Sequence, residues 1–333
     1  MKISIVGLGL IGGSIAQGLK SKHQITGFDP DKTTQDQAAK SGINIAPDLK
    51  TCVKDAELVI VAAPTTQSEN ILKELKTINF TGIVADICSV KAPLLIAAQG
   101  LNYVGTHPMA GSNEAGFNSA NKDLFIDAPW AISVVKETNK DALAAVINIV
   151  CELGGFIVPV DPHDHDESVV LSSHLAHVVA SAYAKSVGES EFAQLAQLLA
   201  GGSFRDLTRV TTSPAERTAE IVWPNRKSLS RVVENLGENL AKLQNLLDQG
   251  SQADIEKFLA SASSLRTISD ATMASVKNKQ GNKVISKIDN LVADFLKYSK
   301  SRVIASDFSI SNSEVSYLAV SYTHLTLPTK RIV

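Results

Sequence analysis

The stretch KISIVGLGLIGGSIAQGLK, residues 2–20, decides the fold. KISIV is strand-length and rich in Ile and Val. Gly7-Leu8-Gly9-Leu10-Ile11-Gly12 follows directly, and GSIAQGLK after it is helix-like. A GxGxxG alone arises by chance, but between a strand and a helix it has a mechanism. Gly7 allows the tight turn, Gly9 lets the backbone approach a pyrophosphate, and Gly12 lets the helix pack close on the strand. The helix N-terminus then offers free N–H groups and partial positive charge to phosphate oxygens. Gly7, Gly9, Leu10, Ile11 and Gly12 are therefore the expected cofactor-binding residues.

Asp29 ends the next apolar run, HQITGFD, about 20 residues after Gly9. A carboxylate there accepts hydrogen bonds from the adenosine ribose hydroxyls and repels a 2′-phosphate. The expected cofactor is NAD rather than NADP. Further strand-length runs are ELVIVAAP (57–64), GIVADIC (82–88), NYVGTHP (102–108), PWAISVV (129–135) and GFIVPVD (155–161). Near-continuous apolar strands alternating with helical stretches predict a doubly wound parallel α/β sheet over residues 1–160.

The texture changes after Asp161. Between about 163 and 276 strand signals vanish, and long helical stretches such as SVVLSSHLAHVVASAYAKSV (168–187) take over. In SLSRVVENLGENLAKLQNLL (228–247), Leu229, Val232, Val233, Leu236, Leu240, Leu243 and Leu247 recur at three- and four-residue steps. Residues 161–300 are expected to form an all-helical domain, with more apolar stripe than one small bundle needs and hence a homodimer interface. The closing SYTHLTLPTKRIV (321–333) resembles translated adapter sequence, and residues 301–333 are expected to be a tail, disordered or foreign to the fold.

Composition narrows the partners. Lys plus Arg is 32 and Asp plus Glu is 34, so no basic excess argues for nucleic acid. No apolar run reaches the roughly 18 residues of a membrane span, and the first strand starts at residue 2, where a signal peptide would lie. Cys52, Cys88 and Cys151 are scattered and fit neither a disulfide framework nor zinc spacing. A reducing cytoplasm is the expected location.

Three segments carry chemistry-bearing residues: Asp86-Ile87-Cys88-Ser89-Val90-Lys91 and Gly105-Thr106-His107-Pro108-Met109-Ala110-Gly111, each at a strand end, and Ser173-His174-Leu175-Ala176-His177 on a helix, followed by Gly202-Ser203-Phe204-Arg205-Asp206-Leu207-Thr208-Arg209. In an open α/β sheet, ligands sit beyond the carboxyl ends of the strands, where the first two fall. Asp161-Pro162-His163-Asp164-His165-Asp166 holds residue types that ligate zinc, but it stands just before a long helix, where Asp serves as a cap. No metal is expected.

Taken in order, GxGxxG, D-x-x-S-V-K, H-P-M-x-G, the S-H-L-x-H helix and the F-R-D-x-T-R segment resemble the prephenate/arogenate dehydrogenase family, over about residues 1–275. Ala176, where the family usually has Pro, and Ser203, within the glycine stretch, depart from its pattern. The resemblance implies an NAD-dependent oxidative decarboxylation in tyrosine biosynthesis. It implies His107 as the catalytic histidine, supported by Ser89, and Arg209 as the residue that binds a substrate carboxylate. It puts His174 and His177 near substrate and nicotinamide. Asn113 stands where family members carry an acid that could distinguish arogenate, with its ammonium, from prephenate. Prephenate is the expected substrate; arogenate, dual specificity and, more distantly, a non-catalytic NAD-sensing module are the alternatives.

Overall fold

Leu58, Val59, Ile60 and Val61 are all buried, so this strand has no polar face to give to solvent and must be covered on both sides. Its neighbours are built alike. In this computed structural model, which describes residues 1–111, 114–278, 281–311 and 313–321, the strands are β1 (Lys2–Val6), β2 (Gln24–Phe28), β3 (Asn44–Ile45), β4 (Leu58–Val61), β5 (Ile83–Asp86), β6 (Asn102–Pro108), β7 (Pro129–Ser133), β8 (Phe156–Val160), β9 (Asn282–Lys287), β10 (Val303–Ile310) and β11 (Glu314–Ser321). They form one sheet in the order β3-β2-β1-β4-β5-β6-β7-β8-β10-β11-β9.

Helices α1 (Leu10–Leu19), α2 (Lys32–Lys40), α3 (Leu49–Val53), α4 (Thr65–Thr77), α5 (Ala92–Ala97) and α6 (Lys140–Glu152) punctuate the first eight strands. Ile3, Ile5, Leu58 and Ile60 pack with Ile15 and Leu19 of α1 and Leu143 and Ile147 of α6. Val6, Val59, Val61 and Val84 face the other way, against α3, α4 and α5. The period-two alternation thus sorts one apolar run into two cores.

From β3 through β6 the pairing is parallel, as expected, but β7 runs antiparallel to β6 and parallel to β8. A parallel return needs a crossover connection, usually a helix. Residues 117–121 lie on α1 instead. They form a 3-10 turn at Phe117–Ser119, the Asn121 amide donates to Ser14 Oγ at 2.9 Å, and Phe117 and Ala120 sit against Gly13.

The second region is helical, as expected: α7 (Pro162–Val169), α8 (Leu175–Gly188), α9 (Ala193–Leu198), α10 (Gly202–Thr208), α11 (Ala215–Val222), α12 (Arg226–Gln249) and α13 (Gln252–Lys277). A π turn at Val170–His174 joins α7 to α8 without a break, and such turns are frequent at functional sites. Among the described residues, no helix is long and apolar enough to cross a membrane.

The expected tail is a correction. Helix α14 (Leu291–Ser301) and β9, β10 and β11 return to the sheet: β10 pairs with β8, β11 with β10, and β9 with β11, all antiparallel. Leu291, Phe295, Ala305, Val315 and Tyr317 belong to the same buried cluster as α1 and α6. Neither a helical region running unbroken to 300 nor a tail beginning at 301 describes this segment; residues 303–321 complete a sheet edge. Residues 322–333 lie outside the described residues.

Candidate active site

The Gly-rich turn behaves as its residue types require. Gly7 adopts φ +99°, and a Cβ there would strike the backbone of Ala62 at the end of β4; a Cβ on Gly12 would strike the Gly7 carbonyl. A Cβ on Gly9 would meet nothing within 4 Å. The first and third glycines therefore close the turn, and the second leaves open space over the N-terminus of α1. Asp29, at the end of β2, accepts the Leu8 amide at 2.7 Å and the Asp31 amide at 2.9 Å. Its carboxylate is thereby tied to the glycine turn, and each oxygen keeps a second lone pair for a ribose hydroxyl. The cradle fits a dinucleotide.

β1, β4, β5 and β6 run parallel, so their carboxyl ends share one edge with that turn. His107 sits there, near the end of β6, half-buried. Its Nδ1 lies 2.9 Å from His165 Nε2, and His165 Nδ1 lies 2.9 Å from Asp166 Oδ1. Asp166 also accepts the Lys91 and Ala92 amides, at 2.7 and 2.9 Å. Burial above all holds the His107 imidazole well below its ordinary value, and electrostatic coupling to His165, Lys91 and His174 works in the same direction. A ring so placed is neutral near pH 7, and the nitrogen not engaged by His165 is Nε2.

A buried ion pair underpins this edge. Lys91 is 1 % exposed and Asp86 0 %, and they are bonded to each other. Lys91 Nζ also donates to the Thr106 carbonyl at 2.5 Å. Asp86 accepts the Tyr103 hydroxyl at 2.7 Å, the Cys88 amide at 2.8 Å and the Thr106 amide at 3.2 Å. A buried pair holds only when its remaining donors and acceptors are satisfied. Here they are satisfied by the strand carrying His107 and the bend carrying Ser89.

The expected residues are distributed as follows. Ser89 is half-buried in the bend between β5 and α5, but the partner of the His107 ring is His165. His174 ends the π turn, fully buried, with neither ring nitrogen hydrogen-bonded among the described residues; burial, then the charge at His177, holds it at about 4. His177 is half-buried and donates from Nδ1 to the Ser173 carbonyl at 3.0 Å, leaving Nε2 as an acceptor. Arg209 opens a 3-10 turn, Arg209–Thr212, packed against α8, and its side chain is exposed. Asn113 lies outside the described residues; beside it, the Glu114 carbonyl accepts from Arg217 at 3.3 Å.

The segment read as a helix cap or zinc mimic divides its labour. Asp161 caps α7, accepting the His163 and Asp164 amides at 2.8 and 3.4 Å. His165 and Asp166 turn inward. Sequence reasoning missed both as site residues, along with Asp86 and Lys91. The signal was available: charged groups inside otherwise apolar strand ends need partners, and Lys91 stands in the same motif as Ser89.

A parallel-dominated sheet with a dinucleotide turn, and a neutral histidine on the same edge, define the frame of a nucleotide-dependent oxidoreductase. Two family descriptions cover most of the chain: "Prephenate dehydrogenase, nucleotide-binding domain" matches residues 15–159 and "Prephenate dehydrogenase, dimerization domain" residues 161–261. The chain belongs to the prephenate dehydrogenase family. It is 30% identical over 278 residues to the prephenate dehydrogenase of Bacillus subtilis, covering 79% of this chain and 75% of that one. The cyclohexadienyl dehydrogenase of Zymomonas mobilis is 28% identical over 257 residues, covering 74% of this chain and 88% of that one. Among solved structures, Aquifex aeolicus prephenate dehydrogenase in complex with hydroxyphenyl propionate and NAD+ superposes with TM-score 0.74 at 25% identity, covering 80% of this chain and 97% of that one. Synechocystis arogenate dehydrogenase does so with TM-score 0.67 at 27% identity, covering 80% and 99%.

Proposed function

We propose that this chain is an NAD-dependent dehydrogenase that oxidises and decarboxylates prephenate to 4-hydroxyphenylpyruvate. The observation that carries the reading is the neutral His107 ring on the nucleotide edge, with Nδ1 engaged and Nε2 left to accept a proton. The substrate is a cyclohexadienol with a ring carboxylate and a C4 hydroxyl. Bound NAD supplies the hydride acceptor. His107 Nε2 takes the hydroxyl proton as the C4–H hydride departs, which is general-base assistance by a group neutral at working pH. Loss of CO2 then makes the ring aromatic. Gly7, Gly9, Leu10, Ile11, Gly12 and Asp29 hold the dinucleotide, and Ser89, His174, His177, Asn113 and Arg209 complete the substrate side.

Three measurements test this. Purified protein forms NADH with prephenate at a higher kcat/KM than with arogenate; the reverse order would make arogenate the substrate, and activity with neither would leave an NAD-binding module. NAD is preferred because Asp29 repels a 2′-phosphate. Asp29→Ser with Pro30→Arg shifts that preference toward NADP, and a wild-type protein already faster with NADP would refute the assignment.

Arg209→Ala raises KM for prephenate more than about tenfold, since losing a charge-assisted bidentate contact costs roughly 2 kcal/mol or more. NAD binding is unchanged. An unaltered KM would sink this role.

The exposed Phe192, Leu198, Leu199, Trp223, Leu240 and Leu247 lie in the region that matches a dimerization domain. Apolar surface of this extent marks an interaction site, and we assign it to a homodimer. Sedimentation returning only monomer at micromolar concentration would count against it.

A further inference from the structure

We propose that His165 and Asp166 are positioning residues which lock His107 in its Nδ1-protonated tautomer. The inference rests on the reading of His107 as proton acceptor and names what makes it one.

The hydrogen-bond directions leave a single arrangement of protons for two neutral rings. The backbone amides of Lys91 and Ala92 can only donate, so both carboxylate oxygens of Asp166 act as acceptors. His165 Nδ1 lies 2.9 Å from one of those oxygens and must therefore carry its proton. A neutral His165 then presents Nε2 as a lone pair. His107 Nδ1, 2.9 Å away, must donate to it. That leaves His107 Nε2 unprotonated, the state a base requires. The rings meet edge to face, with centroids 5.1 Å apart, so the contact also sets the His107 ring plane.

The alternative needs a doubly protonated His165, and its surroundings oppose that. His165 is 3 % exposed, and burial holds it below its ordinary value although Asp166 pulls the other way. The other charged or titratable groups facing the two rings are Lys91, paired with Asp86, and His174, with His177 beyond it. When His107 takes up the substrate proton, its Nδ1–H bond runs through His165 to the Asp166 carboxylate, so the new positive charge is compensated inside a buried site. Asp166 is held in turn by α5, the helix after Ser89, which ties the tautomer to the segment on the substrate side.

The test combines nitrogen NMR with kinetics on the full chain. In 15N-histidine-labelled wild-type protein at pH 7, with signals assigned by loss in His107→Asn and His165→Leu, both rings are expected as Nδ1–H tautomers. An Nε2–H tautomer at His107 in wild type overturns the proposal whatever the rates of the variants. His165→Leu should lower kcat on the order of 10²-fold through lost orientation. KM for prephenate and the Kd for NADH should stay within about threefold, the pattern of an interaction made only in the transition state. His165→Gln, whose Oε1 can accept the His107 Nδ1–H, should recover at least about a tenth of the lost rate on the same logarithmic scale of transition-state contacts. If His107→Asn is crippled but His165→Leu keeps its kcat, the relay is refuted and the base stands. If His107→Asn itself keeps wild-type kcat, the underlying reading fails first.

Discussion

His107→Asn lowers kcat by about 10² to 10⁴-fold, the usual worth of general-base assistance, while prephenate and NAD still bind. The amide can hold a hydrogen bond but cannot take the hydroxyl proton. The pH profile gives the same result a second signature. Burial, with electrostatic coupling to His165, Lys91 and His174, keeps His107 neutral well below its ordinary value. Protonation removes the acceptor, so activity falls on the acid side, and the limb in kcat/KM lies below the free-imidazole value of about 6.5 rather than at it. In His107→Asn that limb is lost. Wild-type kcat in the variant, or an acid limb unchanged by it, rules out the role and moves attention to His177, whose Nε2 is also an acceptor.

Stopping the chain at Lys300 removes β10 and β11 and costs the protein its sheet edge. Val303, Ile304, Ala305, Val315, Tyr317 and Val320 are all buried. Ile157 of β8 and Phe295 of α14, both 0 % exposed, belong to the cluster that these strands complete. Burying one large apolar side chain is worth roughly 1.5 to 3 kcal/mol, and a domain's whole stability is only about 5 to 15 kcal/mol. The truncated chain should aggregate, or melt lower by on the order of 10 °C. Tyr317→Ala is the point version. Its ring stacks on Phe308 at 5.0 Å and its hydroxyl donates to Tyr298 at 3.1 Å. A loss of about 3 to 5 kcal/mol is expected in chemical denaturation. A Lys300-terminated chain melting within about 2 °C of the full one, a fraction of a kcal/mol on the same scale, would show that these strands carry no stability.

The sequence by itself determined the seven long strands of the first region, the glycine turn and the helical character of residues 162–277. Those features rest on local rules. A strand covered on both faces is apolar throughout, and only glycine tolerates φ +99° with a carbonyl pressed against its Cα. The position of His107, Ser89 and Asp29 was legible for the same reason, since each lies at or just past the carboxyl end of a strand on the ligand edge. Tertiary structure alone decided the rest. EVSYLAVS holds the apolar run Tyr317-Leu318-Ala319-Val320 between an exposed Glu314 and an exposed Ser321, and the strand has a core only because β10 brings it beside β8. Likewise Asp166 finds the amides of Lys91 and Ala92 across 75 and 74 residues of chain, and His165 meets His107 across 58. No periodicity records such pairings. They arise because a buried polar group must find a partner wherever the folded chain brings one within reach.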